Sequence, residues 1–172
     1  MHRFEFEPDL ETGNVDIDSQ HQTLFAMANE ILFSRELEQS PQQFRRAMTF
    51  LFSYLEYHFA SEELGMLEHG YSSRRFHAAF HDHVRREARA IAANLARNAT
   101  LEQTRSAIFF MLEDWVVYHV READRQLANF LHEKSAQSGE MPRLPGIRPL
   151  KASGTIAADF DEQVLMGASG RA

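Results

Sequence analysis

The chain has no cysteine among its 172 residues. Disulfides, zinc–thiolate sites, iron–sulfur clusters and cysteine nucleophiles are thereby excluded. Helix breakers are scarce too: eight glycines and five prolines occur, and three of those prolines lie between residues 142 and 149. The first 135 residues are nearly free of them, which favours an all-α fold. Lysine is almost missing, with only Lys134 and Lys151. The formal charge is −7, with acidic and basic residues mixed throughout, so no basic stripe marks a nucleic-acid face. No apolar run approaches the roughly 20 residues of a membrane span. The acidic N-terminal stretch MHRFEFEPDLE lacks the apolar region of a secretory signal. The expectation is a cytoplasmic protein with no nucleic-acid or membrane partner.

What is abundant is apolar and aromatic. Hydrophobic residues make up 44% of the chain, and 14 are Phe. Residues 1–18 read as an irregular arm, with Pro8 and Thr12-Gly13-Asn14 as breakers. A first helix is expected from Asp18 or Ser19, with Leu24, Phe25, Ala28, Ile31 and Leu32 as its apolar stripe, ending around Leu37 to Gln39. Ser40-Pro41-Gln42-Gln43 opens the second with a cap, a first-turn proline and a glutamine three residues on. Its stripe runs Phe44, Ala47, Met48, Leu51, Leu55, Phe59. Ser72 or Ser73 opens the third, carrying Phe76, Phe80, Val84, Ala88, Ile91 and Leu95. Thr100 with Gln103 opens the fourth, which continues to about Glu133. Four helices with short connections predict an antiparallel up-down-up-down bundle over residues 1–133. Residues 134–172 are the remainder: a Pro/Gly-containing linker, then Ile156, Phe160, Val164 and Leu165 at helical spacing. One short amphipathic helix over residues 156–166 is compatible with that pattern, packed back on the bundle or docked on a protein partner.

Seven residues carry the chemistry: His21, His58, Glu62, His77, His81, His119 and Asp124. They fall on all four helical segments. Residues four apart on an α-helix differ by about 40° around the axis and about 6 Å along it. His58 with Glu62, and His77 with His81, are thus each placed to grip one metal centre. His119 and Asp124 are five apart, about 140° around an α-helix, which is wider than a one-metal clamp and suits an aspartate reaching across to a second ion. A lone His-x-x-x-Glu match carries little weight; His83 and Glu87 form another, and His83 is expected on the solvent-facing side. The surface is also the expected place for His2, His69 and His132. The conjunction is what counts. The seven sit in or beside apolar stripes, and burying them without partners costs several kcal/mol each. Imidazole and carboxylate without thiolate suit iron, manganese or zinc, and seven ligands exceed one tetrahedral zinc.

With IDSQH (17–21), HFASEE (58–63), HAAFH (77–81) and WVVYHVREAD (115–124) in order, the chain resembles the hemerythrin family in its bacterial single-domain form, over about residues 4–132. The resemblance implies two non-haem Fe ions per chain, joined by an oxo or hydroxo bridge. His77, His81 and His119 would ligate one ion, His21 and His58 the other, with Glu62 and Asp124 bridging. The second ion then keeps an open position, where dioxygen would bind reversibly for carriage, storage or delivery. The implied protein is a binder and not an enzyme. Candidate walls of the oxygen pocket are Leu24, Phe25, Phe59, Phe80, Trp115 and Val116. Two positions depart from the family's habits: Phe6 stands where a Trp is frequent, and Val116 where Leu is common. Alternatives are an oxygen or redox sensor signalling through the C-terminal tail, and a di-iron enzyme handling nitric oxide or peroxide.

Overall fold

A computed structural model describes residues 1–139 and residue 144. All regular structure among them is helical. The helices are α1 (Val15–Phe33), α2 (Arg35–Gln39), α3 (Pro41–His69), α4 (Arg74–Ala96), α5 (Leu101–Met111), α6 (Val117–His119) and α7 (Arg125–Ser138). Two π-helical segments, Leu112–Val116 and Val120–Asp124, flank α6, so residues 101–138 form one continuous rod. The expected linker from residue 140 and the tail helix at 156–166 lie outside the described residues.

The helix starts follow side-chain capping chemistry. α1 begins earlier than the sequence suggests, because Asn14 accepts from the backbone N–H groups of Asp16 and Ile17. Asp18, expected as a cap, instead holds the arm: it accepts from Thr12 N and Oγ1 at 2.8 and 2.7 Å and from Gly13 N at 3.0 Å. Ser40 caps α3 with Pro41 at its first position, and Thr100 and Gln103 form the reciprocal box that opens α5. Ser73 precedes α4 without a side-chain cap bond. α3 ends at Gly70, whose φ of 72° lies in the left-handed region that a side chain would strain. That turn sends the chain directly into the helix bearing His77 and His81.

α1 stops at Phe33 and does not reach Gln39. Ser34 is extended and caps the separate short α2. The break exposes carbonyls, and buried Arg105 supplies the donors: Nε to Ile31 O at 2.9 Å, Nη2 to Ser34 O at 2.8 Å and Nη1 to Glu38 at 2.8 Å. The N-terminal arm is ordered against the bundle by a two-way bond, since Asn29 both accepts from Phe4 N and donates to Phe4 O at 2.8 Å. α1 packs on α3 and α5, α3 on α4, and α4 on α5.

The apolar interior is divided. The larger cluster includes Leu24, Phe25, Leu51, Leu55, Phe59, Val84, Val116 and Val120. A smaller one joins Ile17, Met66, Leu127, Ala128, Leu131 and Leu144. Each fully buried side chain of this size stabilises the fold by about 1.5–3 kcal/mol. Between the two clusters the helices turn polar groups inward. Along α1 the order is Ile17, His21, Leu24; along α3 it is Phe59, Glu62, Met66; along the last rod it is Val120, Asp124, Leu127. The α4 stripe is narrower than its spacing suggests: Phe76 is 82% exposed.

Candidate metal centre

All seven chemistry-bearing residues meet in that polar layer, and all seven are buried. They form two overlapping groups. One is Glu62, His77, His81, His119 and Asp124; the other is His21, His58, Glu62 and Asp124. Within each group, one donor atom from every residue lies within 4.8 Å of the rest. Glu62 and Asp124 belong to both.

The imidazoles point Nε2 into the centre. His77 Nε2 is 3.2 Å from Glu62 Oε2 and 3.2 Å from Asp124 Oδ1. His81 Nε2 is 3.2 Å from Glu62 Oε2 and 3.0 Å from His119 Nε2. His21 Nε2 lies 3.1 Å from Asp124 Oδ2, and His58 Nε2 lies 3.9 Å from Glu62 Oε2. Outer partners set two tautomers. His81 Nδ1 faces Glu63 Oε1 at 2.9 Å and His58 Nδ1 faces Gln20 Oε1 at 2.6 Å. Each Nδ1 therefore carries a hydrogen, and a neutral ring turns its Nε2 lone pair toward the centre.

The pair His119 and Asp124 corrects the α-helical expectation. Their side chains meet at 2.9 Å, Nε2 to Oδ1. Five residues would be too many on an α-helix, but Val120–Asp124 is π-helical. There the hydrogen-bonded partner is five residues away, so the two side chains share a face. The other π segment has a second effect. It bonds Val117 N–H to Leu112 O, and the added residue shifts the register. Val116 is buried, whereas Trp115, expected as a pocket wall, is 38% exposed. Trp115 rests outside, its ring 5.9 Å from Phe80 and 3.9 Å from His83. His83 is consequently half-buried and not solvent-facing. His2 is exposed, while His69 and His132 are only partly so; His132 bonds Gly13 O at 3.1 Å.

Of the remaining expected wall residues, Leu24, Phe25 and Phe59 are buried in the larger cluster. Phe80 is half-buried and stacks on His119 at 4.4 Å. Phe59 stacks on His81 at 4.1 Å. Phe6, in the arm, comes 6.4 Å from the His21 ring.

Electrostatics mark the layer as a place for positive charge. Burial and Asp124 work to raise the Glu62 carboxyl, yet His58, His77 and His81 outweigh them and hold it well below the usual carboxylate range. Asp124 is likewise held low, burial being outweighed by His119, His21 and His77. Burial works to lower His77, but its contacts with Asp124 and Glu62 raise it to about 10. His81 is raised by Glu62 and Glu63 against the same burial. His58, more weakly paired, is lowered by burial to about 4. Burial also lowers His119. Imidazoles facing the two carboxylates, His77 above all, thus do part of the work of a buried cation.

They do not do all of it. Glu62 Oε1 is buried without a hydrogen-bond partner, and both Asp124 oxygens and His21 Nε2, although close to one another or to other ring nitrogens, lack hydrogen-bonding geometry. Orphaned acceptors of this kind are costly, and a shared cation would satisfy them. Hard carboxylate and borderline imidazole donors fit a divalent first-row metal. The residues present fit a pair of such ions, because two groups share two carboxylates.

Sequence reasoning did not single out Gln20, Glu63 or Arg85. Gln20 and Glu63 are each adjacent to one of the seven, which is the signal available for them. Arg85 lies one helical turn beyond His81, and nothing in the sequence marks it apart from the other arginines. Among known proteins, the model of the hemerythrin HHE cation binding domain family matches residues 12–131. No curated protein and no solved structure matches the chain.

Proposed function

The chain belongs to the hemerythrin family, and we propose that its buried layer holds two iron ions and binds dioxygen reversibly at one of them. One observation carries the reading: of the two ligand groups that share Glu62 and Asp124, one brings three imidazoles and the other only two. Two ferrous ions held here would supply two electrons and, at the ion with fewer protein ligands, room for a small ligand.

The chain's own residues do the rest. His77, His81 and His119 fill the places around one ion. His21 and His58 hold the other and leave room beside it. Glu62 and Asp124 fix the separation of the pair. Imidazole-rich ligation keeps the centre less negative than a carboxylate-rich one, which favours binding and release over high oxidation states. Leu24, Phe25, Phe59 and Val116 exclude water and so disfavour escape of charged oxygen species. The helix contacts α1–α3, α3–α4, α4–α5 and α5–α1 support an antiparallel up-down-up-down order. No helix among the described residues is long and apolar enough to cross a membrane.

The test is oxygen cycling. The chain is loaded with ferrous iron under argon, exposed to air, and returned to argon while its visible spectrum is recorded. A band that appears with oxygen and disappears without it, over repeated cycles, is expected. Irreversible oxidation in the first cycle would overturn the carrier reading.

A further inference from the structure

We propose that Arg85 is a positioning residue for the metal centre, clamping Glu63 and Phe59 so that His81 keeps its Nε2 aimed at the cluster; the inference rests on the metal-binding reading above. Arg85 lies on α4, one turn beyond His81, half-buried. Its guanidinium makes three ion pairs. Nη1 donates to Glu63 Oε1 at 2.8 Å and to Asp82 Oδ1 at 3.1 Å, and Nε donates to Glu56 Oε2 at 2.8 Å. The same Glu63 oxygen accepts from His81 Nδ1 at 2.9 Å. The guanidinium carbon also sits 5.3 Å from the centre of the Phe59 ring. The same Phe59 ring stacks on His81 with planes only 15° apart.

His81 is therefore held twice. Glu63 grips it in the plane of the ring and fixes which nitrogen carries hydrogen. Phe59 presses on its face and fixes the ring's tilt. Both supports are gripped by one planar cation, whose fork of donors is preorganised in a way an ammonium is not. The other imidazoles of the larger group are not held in this manner: Nδ1 of His77 and Nδ1 of His119 have no hydrogen-bond partner. The clamp is thus particular to His81. It also lies at the wall of a groove of about 270 Å³ between α3 and α4, lined by Arg85 with Phe59, Val84 and Ala88. A change at Arg85 therefore opens onto solvent and does not cut into the core.

His81 belongs to the five-residue group and not to the other, so loosening it weakens one ion of the two. The experiment uses the full chain and ferrous iron alone, under argon. It reads the affinity of each ion and the paramagnetically shifted, exchangeable imidazole N–H signals in the proton NMR spectrum. Glu63→Leu and Arg85→Met are each expected to weaken one ion by roughly 10–100-fold, the usual effect of losing an outer partner, and to leave the other unchanged. The His81 N–H signal disappears in Glu63→Leu. Glu63→Gln keeps an acceptor and rescues both the signal and most of the affinity, which also controls for folding. The double variant Glu63→Leu/Arg85→Met is no weaker than the worse single, because both act through one contact. Arg89→Met, on the same groove, changes neither ion. Unchanged affinities and signals in Glu63→Leu and Arg85→Met would overturn the clamp while leaving the metal reading intact, as would an equal loss in Arg89→Met. Failure of the unmodified chain to take up two ions sinks both, and is seen before any variant is made.

Discussion

The two halves of the buried cluster are built differently. Around His77, His81 and His119, aromatic rings press from several sides: Phe59 on His81, Phe80 on His119 and Tyr71 edge-on to His77 at 6.4 Å. An ionised carboxylate, Glu63, backs one of the three. Around His21 and His58 the support is lighter. His58 leans on the neutral amide of Gln20, and Phe6 reaches over His21 from the arm. In the proposed reading, one half would hold an ion in a fixed place, and the other would hold an ion with fewer protein donors, where a small molecule could add itself.

The comparison is broken most severely at what the halves share. Asp124→Ala removes a donor from both groups, and the iron content of the loaded chain should fall from two ions toward none. A variant that still retains two ions after desalting would show that the carboxylate is not shared. Single imidazoles should then separate the halves. His21→Ala leaves the five-residue group whole, so one ion should survive desalting; His77→Ala breaks that group and should leave less than one. Equal retention would erase the proposed difference. His83→Ala, with the ring propped on Trp115 and outside both groups, should leave iron content unchanged.

Metal removal acts on stability. Ions present at about 1,000 times their dissociation constant add about 4 kcal/mol. For a chain of this size, each kcal/mol is worth about 2–4 °C in Tm. Chelation should therefore lower Tm on the order of 10 °C. A smaller effect comes from pH and is best seen without metal. His77 is raised to about 10 in the folded chain. Its contribution is fully present below its ordinary value near 6.5 and is lost as pH rises through 10. His58 is lowered to about 4, so stability also falls as pH drops from 6.5 toward 4, where the unfolded chain binds the extra proton. Denaturant melts of the metal-free chain should show both flanks. Iron should flatten the alkaline one, since a cation replaces the proton on His77. The smallest effect is expected at Val116, buried against the larger cluster. Val116→Leu should slow oxidation of the iron-loaded chain by narrowing access, while overpacking lowers Tm by a few degrees, for a cost of about 1–3 kcal/mol.

The sequence made the ligand pairs on α3 and α4 more legible than the pair on the last helical rod. His58 with Glu62 and His77 with His81 are four apart on regular α-helix, so spacing alone puts each pair on one face. His119 and Asp124 are five apart, and only the π turn between them makes that spacing work. Nothing in VREAD announces a π turn, because its cause is tertiary: Asp124 is drawn to the centre by imidazoles from three other helices. The other π turn, at Leu112–Val116, shifts the register that turns Trp115 outward against His83. The start of α1 was misplaced for a comparable reason. Asp18 and Asn14 are both good caps, and the choice between them depends on the arm that Asp18 ties down. The side-chain cap at Ser40 and the capping box at Thr100, which are local, could be read directly. Glu63 and Arg85 could not, since their importance lies in partners 18 and 22 residues away.

The most direct measurement is a stepwise ferrous titration of the metal-free full chain under argon, counting bound ions at each step. The account predicts a plateau at two ions per chain, reached in two steps, with the five-residue group filling first and the four-residue group second. A plateau at one ion, or no uptake at all, would contradict it.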